Sequence, residues 1–154
     1  MIRTYLTYFS YDNYEYSVWD ISKSREESIE SFKKVHVPSL IEGGQPDISR
    51  LYLIEVDLDP SVYLLFEKNY PEDEVSVSDM LEYIEDNGDY NIIHECDGTI
   101  LFDLVQYYFQ MNNDPEDDIE FDEWEWIQKL DELETTDPNS YKTLINDFIK
   151  QYFE

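Results

Sequence analysis

RLYLIEVDLDPSVYLLFE, residues 50–67, decides how this chain folds. Arg50–Asp57 and Ser61–Glu67 are both rich in the β-branched, aromatic and aliphatic residues that suit strands. Asp57-Leu58-Asp59-Pro60 lies between them as a turn. Two strands joined there predict a sheet; the run from Ser61 also suits the start of a helix.

Working outward, Ile2–Ser10 alternates and is rich in Thr, Tyr and Phe, which predicts a strand over 2–10. Tyr11-Asp12-Asn13 makes a turn into a second strand over 14–21. Ser24 with Glu27 forms a capping box that opens a helix over 24–36, with Ile29, Phe32 and Val35 as its buried face. Pro38 and Glu42-Gly43-Gly44-Gln45-Pro46 end it. Ser76 with Asp79 opens a further helix over 76–87 that carries Met80, Leu81, Tyr83 and Ile84, with Gly88 as its closing cap. Asn91–Cys96 suits a short strand closed by Asp97-Gly98.

Helical spacing of Ile100, Leu101, Leu104, Val105 and Tyr108 predicts a helix over 99–111, broken by Asn112-Asn113-Asp114-Pro115. A helix over 118–134 follows. Asp137-Pro138 is an N-cap and first-turn pair for a last helix over 138–152, striped by Tyr141, Leu144, Ile145, Phe148, Ile149 and Tyr152. The expected fold is α+β: an N-terminal antiparallel sheet, with strands near 2–10, 14–21, 50–57 and 61–67, and the helices named above. No internal repeat or long polar linker divides the 154 residues, so one domain over 1–154 is expected.

The charge is extreme, 37 acidic against 10 basic residues and net −27. Residues 1–70 carry 12 acids and 7 bases, a near-balanced −5, and residues 71–154 carry 25 and 3, a strongly acidic −22. With 42% hydrophobic and 16% aromatic residues this is no disordered acidic tail. Direct binding to nucleic acid is disfavoured, since phosphate contacts need Lys and Arg; anionic membrane surfaces are disfavoured for the same reason. The expected partner is a basic surface, such as that of a nucleic-acid-binding protein. The N-terminus lacks the layout of a signal peptide and no apolar run approaches 18 residues, so a cytoplasmic protein of a bacterial or phage-infected cell is expected.

Templates for chemistry find little support. Gly43-Gly44 is the only glycine pair and no Lys-Ser/Thr follows it, so no phosphate loop is predicted. The single cysteine, Cys96, excludes an internal disulfide and a multi-cysteine metal site. His94-Glu95-Cys96 places a histidine and a thiol two apart on one strand face, which a half-buried strand end accounts for, and His36 falls at a predicted helix end, where it suits a cap. From Asp114, carboxylates match an EF-hand count at Asp114, Glu116, Asp118, Glu120, Asp122 and Glu125, but Ile119 stands where the turn needs glycine and Pro115 at the second position. No catalytic residue, metal site or cofactor is predicted.

What remains is DPEDDIEFDEWEWIQKLDELE, residues 114–134, with eleven carboxylates against Lys129 alone. Phe121, Trp124, Ile127 and Leu130 recur every third residue, with Trp126, Leu130 and Leu133 beside them, an apolar stripe that predicts burial on one side. Asp118, Asp122, Glu125 and Glu132 then lie opposite the stripe. A fully helical stretch of this length spans about 31 Å, so its net −10 is about one charge per 3 Å, close to the one phosphate per 3.4 Å of a single DNA strand. The charge layout resembles that of DNA-mimic proteins, in which carboxylates stand where phosphates would. The expectation is a non-enzymatic inhibitor of the anti-restriction or anti-CRISPR type, blocking the basic DNA- or RNA-binding channel of a nuclease or host-defence effector. An immunity or antitoxin protein bound to a basic cognate toxin is the alternative. The expected partner-binding residues are Asp114, Glu116, Asp117, Asp118, Glu120, Asp122, Glu123, Glu125 and Glu132, with Trp124 and Trp126 as aromatic anchors. Glu72, Asp73 and Glu74, together with Glu82, Glu85, Asp86 and Asp89, extend the same acidic track or form a second one.

Overall fold

The computed structural model describes residues 1–11, 16–43, 49–69, 81–82, 84–86 and 89–154. The chain is α+β and divides into two compact units, Met1–Gly98 and Thr99–Glu154. Each is described by itself. The predicted turn residues Asp12 and Asn13, the loop residues Gly44 to Pro46, and Ser76, Asp79, Met80, Tyr83 and Gly88 lie outside the described residues.

The first unit is an antiparallel four-stranded sheet in the order β2-β1-β3-β4. Its strands are β1 (Ile2–Tyr11), β2 (Tyr16–Ser22), β3 (Ser49–Leu58) and β4 (Tyr90–Asp97). The central pair is in register from Ile2↔Leu58 to Tyr11↔Ser49. Both faces of β1 and β3 are buried: Leu6, Tyr8, Ile54 and Val56 on one side, Tyr5, Phe9, Leu51 and Leu53 on the other. That is why β3 reads as a near-continuous apolar run and not as a clean alternation. Trp19 is the extra residue of a bulge between β1 and β2, and Ile93 that of a bulge between β3 and β4.

The predicted strand over 61–67 is a helix, α3 (Pro60–Asn69). Asp59-Pro60 is a helix start, the carbonyl of Asp59 accepting from the Tyr63 N–H at 2.9 Å. Tyr63 and Phe66 are buried while Leu64 is 58% exposed, a period of three where a strand would need two. Both pack on the Leu6–Tyr8–Ile54–Val56 face together with Leu81 and Ile84, two of the described helical residues in the predicted 76–87 segment. The fourth strand is instead β4, the short run suited to a strand at 91–96.

The helix opening at Ser24 forms as predicted, with the Ser24 hydroxyl accepting from the Glu27 N–H at 3.3 Å. It does not end at Pro38. α1 (Arg25–Ser31) passes through a π-helical turn (Phe32–His36) into α2 (Val37–Gly43). The Val37 N–H reaches back five residues to the Phe32 carbonyl, so the ladder changes step next to the proline, which has no N–H to place in it. The buried residues consequently run Ser28, Phe32, Val37, Leu40 and Ile41, and Val35, expected inside, is 55% exposed. On the sheet face opposite α3, Phe32 stacks on His94 and His36 tilts over Trp19. Arg3 and Arg25 both bond Glu55, tying β1, β3 and α1 together.

The second unit is three helices, α4 (Ile100–Asn112), α5 (Glu123–Thr136) and α6 (Pro138–Tyr152), each packed on the other two. α6 buries Tyr141, Leu144, Ile145, Phe148 and Ile149 as its stripe predicts. Tyr152 is 42% exposed at the helix end, its ring packed against Phe148 and Phe153. Asp137 is a hinge between two helices: its N–H donates to Leu133 O at 2.8 Å, and its carboxylate accepts from the Ser140 N–H and hydroxyl.

Candidate functional site

The acidic stretch is built from two different pieces. α4 closes with Asn112 and Asn113, whose side-chain amides donate back to the Tyr108 and Phe109 carbonyls at 2.8 and 2.9 Å. Residues 114–122 then form an irregular segment, not the first turn of a helix from 118. Pro115 and the Asp114 side chain explain this: the Asp114 carboxylate accepts from the Glu116 N–H at 3.0 Å and its carbonyl from the Asp117 N–H at 2.9 Å, a turn that competes with helix. Phe121 lies 5.0 Å, ring to ring, from Phe109 and brings the chain back to α4. Asp122 starts α5, its carboxylate accepting from the Trp124 and Glu125 N–H groups at 3.1 and 3.4 Å.

All eleven carboxylates of 114–134 are exposed. The one cation, Lys129, bonds Glu125 at 3.3 Å and lies over the Trp126 ring at 4.1 Å. Asp114 and Asp122 have local backbone work to do, while Glu116, Asp117, Asp118, Glu120, Glu123 and Glu132 point their charge outward.

The two tryptophans have opposite fates. Trp126 is 8% exposed and meets Tyr108 and Phe109 edge-on at 5.4 and 5.3 Å. It is taken up by the core and is not presented. Trp124, expected in the apolar stripe, is 69% exposed, and Ile119 is 53% exposed. Because α5 begins at Glu123, the buried line is Trp126, Leu130 and the half-buried Leu133, and Trp124 falls outside it. Glu120, Phe121, Asp122, Glu123, Trp124 and Glu125 together line a shallow open recess.

The linear charge estimate changes with this geometry. α5 carries Glu123, Glu125, Asp131, Glu132 and Glu134 against Lys129, a net −4 over about 21 Å, or about one charge per 5 Å. Along the helix that is sparser than a DNA strand; the other six carboxylates of the stretch lie on the irregular segment 114–122, where no helical rise sets their spacing. The charge boundary near residue 70 is also not the structural boundary. Met1–Gly98 holds 22 acids and 7 bases and Thr99–Glu154 holds 15 and 3, so both units are acidic. Glu72, Asp73 and Glu74 lie outside the described residues.

The other candidates resolve structurally. The Cys96 thiol is buried, and burial with the neighbouring Asp97 and Glu95 pushes its pKa up to about 12. Burial, helped by Lys33 and Arg25, lowers that of His94 and favours the neutral ring. A protonated thiol beside a neutral imidazole is poorly suited to nucleophilic attack. His36 is not at a helix end; its Nε2 lies 3.7 Å from Asp20 inside the helical run. Among the described residues no group of three or more His, Cys, Asp or Glu converges as a metal would need, and no helix is long and apolar enough to cross a membrane.

Comparison with protein-family models, with curated proteins and with solved structures finds no match to this chain.

Proposed function

We propose that this protein is a non-enzymatic inhibitor that presents the acidic surface of residues 114–134 to the basic nucleic-acid-binding channel of a nuclease or other host-defence effector. It acts in the cytoplasm of a bacterial or phage-infected cell. The observation that carries this reading is the exposure of all eleven carboxylates with a single cation among them. Such crowding weakens the fold through self-repulsion, and among the described residues Lys129 is the one cation paired with it. A partner rich in Lys and Arg supplies the missing charge, steers association and releases its own bound nucleic acid. The spacing of about one charge per 5 Å along α5 suits the scattered cations of a protein surface.

Trp124 and Ile119, exposed among the carboxylates, favour a second reading as well. Apolar anchors add shape-dependent contact that a pure charge mimic does not need, as expected of an immunity protein for one basic toxin. Competition separates the two. The partner is captured on immobilised protein, then challenged with salt and with DNA or RNA. An inhibitor of the channel is displaced by nucleic acid, and a binder elsewhere on the toxin is not. Neutralising Glu116, Asp118, Glu120 and Glu123 to Gln or Asn should weaken capture steeply while the helical circular dichroism stays unchanged. Capture that survives both neutralisation and high salt sinks the electrostatic reading.

A further inference from the structure

Resting on that reading, we infer that Trp124 is the seat for one arginine side chain of the basic partner. The chain itself contains the pattern at the next tryptophan: Lys129 Nζ lies 4.1 Å from the Trp126 ring centre and 3.3 Å from a Glu125 carboxylate oxygen. An indole face and a carboxylate hold that cation jointly. Trp124 likewise stands among carboxylates. It is 69% exposed, shares its recess with Glu120 and Glu123, and among the described residues no ring or cation is recorded against it.

The backbone under the seat is pinned. Asp122 fixes the Trp124 N–H at the first turn of α5, and Trp126, two residues on, locks that turn to α4 through Tyr108 and Phe109. A partner therefore finds the helical turn that carries the ring already formed, with no backbone ordering left to meet there on binding. Charge complementarity selects a cation as occupant, and shape selects arginine over lysine. A planar guanidinium stacks flat on an indole while its edge donors reach flanking carboxylates two at a time; an ammonium, as at Lys129, meets ring and carboxylate only as a point charge.

The test uses octa-arginine and octa-lysine as probes, titrated by calorimetry into the full-length wild type, Trp124→Ala and Trp124→Phe at fixed salt. Octa-arginine should bind the wild type about two- to fivefold more tightly than octa-lysine, the range an exposed cation–π contact supplies. Trp124→Ala should remove that preference, weakening octa-arginine more than octa-lysine, with Trp124→Phe in between. Equal binding of the two peptides by the wild type, or a preference that persists in Trp124→Ala, overturns the arginine seat and leaves the inhibitor reading standing. Binding of neither peptide overturns the inhibitor reading and the seat with it.

Discussion

Trp124→Ala and Trp126→Ala sit two residues apart on α5, and their stabilities should differ widely. Trp126 is 8% exposed, touches Tyr108 and Phe109 edge-on, and supports Lys129 on its face. Truncating a buried tryptophan leaves a cavity and costs about 3–5 kcal/mol, with the edge-on pairs placing this site toward the upper end. Trp124 is 69% exposed, so its truncation should stay within about 0.5 kcal/mol. Equilibrium urea unfolding followed by far-UV circular dichroism reads the difference. With a slope of about 1–3 kcal/mol per molar, Trp126→Ala should lower the midpoint by at least about 1 M while Trp124→Ala barely moves it. Trp126→Phe should recover part of the loss by refilling the cavity. Equal shifts for the two alanine variants, or a larger one for Trp124, would refute the placement of α5.

Further outcomes follow from the same coordinates. Bonds from the Ser140 hydroxyl and backbone N–H hold the Asp137 pKa below the usual carboxylate value, so its contribution is present above about pH 4 and lost as pH falls through the folded value. Asp137→Ala should therefore lower the urea midpoint at pH 7, with a gap that narrows in acid; a gap that widens in acid would contradict the cap. Raising NaCl from about 0.01 M to about 1 M shortens the screening length from about 30 Å to about 3 Å and should raise the thermal midpoint, since repulsion dominates at net −27. A midpoint that falls with salt would show attraction prevailing. Cys96, 7% exposed and with a raised pKa, should resist thiol-labelling reagents at pH 8 in the native state and react promptly in urea. Rapid native labelling would mean that β4 opens readily.

Much of the fold is legible from local chemistry. The strands over 2–10 and 50–57, the Ser24 cap, the Asp137-Pro138 start and the stripe of α6 all follow from signals a few residues long. The same Asp-Pro signal at Asp59-Pro60 reads as a turn, because the strand-like composition of Ser61–Glu67 outweighs a helical period that shows only as Tyr63 and Phe66. The π-helical turn leaves no such mark: Ile29, Phe32 and Val35 are spaced as a helix face, and one extra residue per turn moves the buried line to Val37 and Leu40. At the acidic site the carboxylates and their exposure are evident from composition. The helix start is not, because Asp118 and Asp122 are both plausible caps and only the turn at Asp114 and the contact of Phe121 with Phe109 select the second.

By itself, then, the sequence determined the α+β class, the caps at Ser24 and Asp137 and the concentration of unneutralised carboxylates in 114–134, all of which depend on neighbours along the chain. Only the tertiary structure decided that 60–69 packs on the sheet as a helix, that β4 completes the sheet, and that Trp126 packs inside while Trp124 faces water. Each of these is settled by which distant surface an apolar side chain meets, and an apolar residue carries the same hydrophobic drive whichever partner buries it.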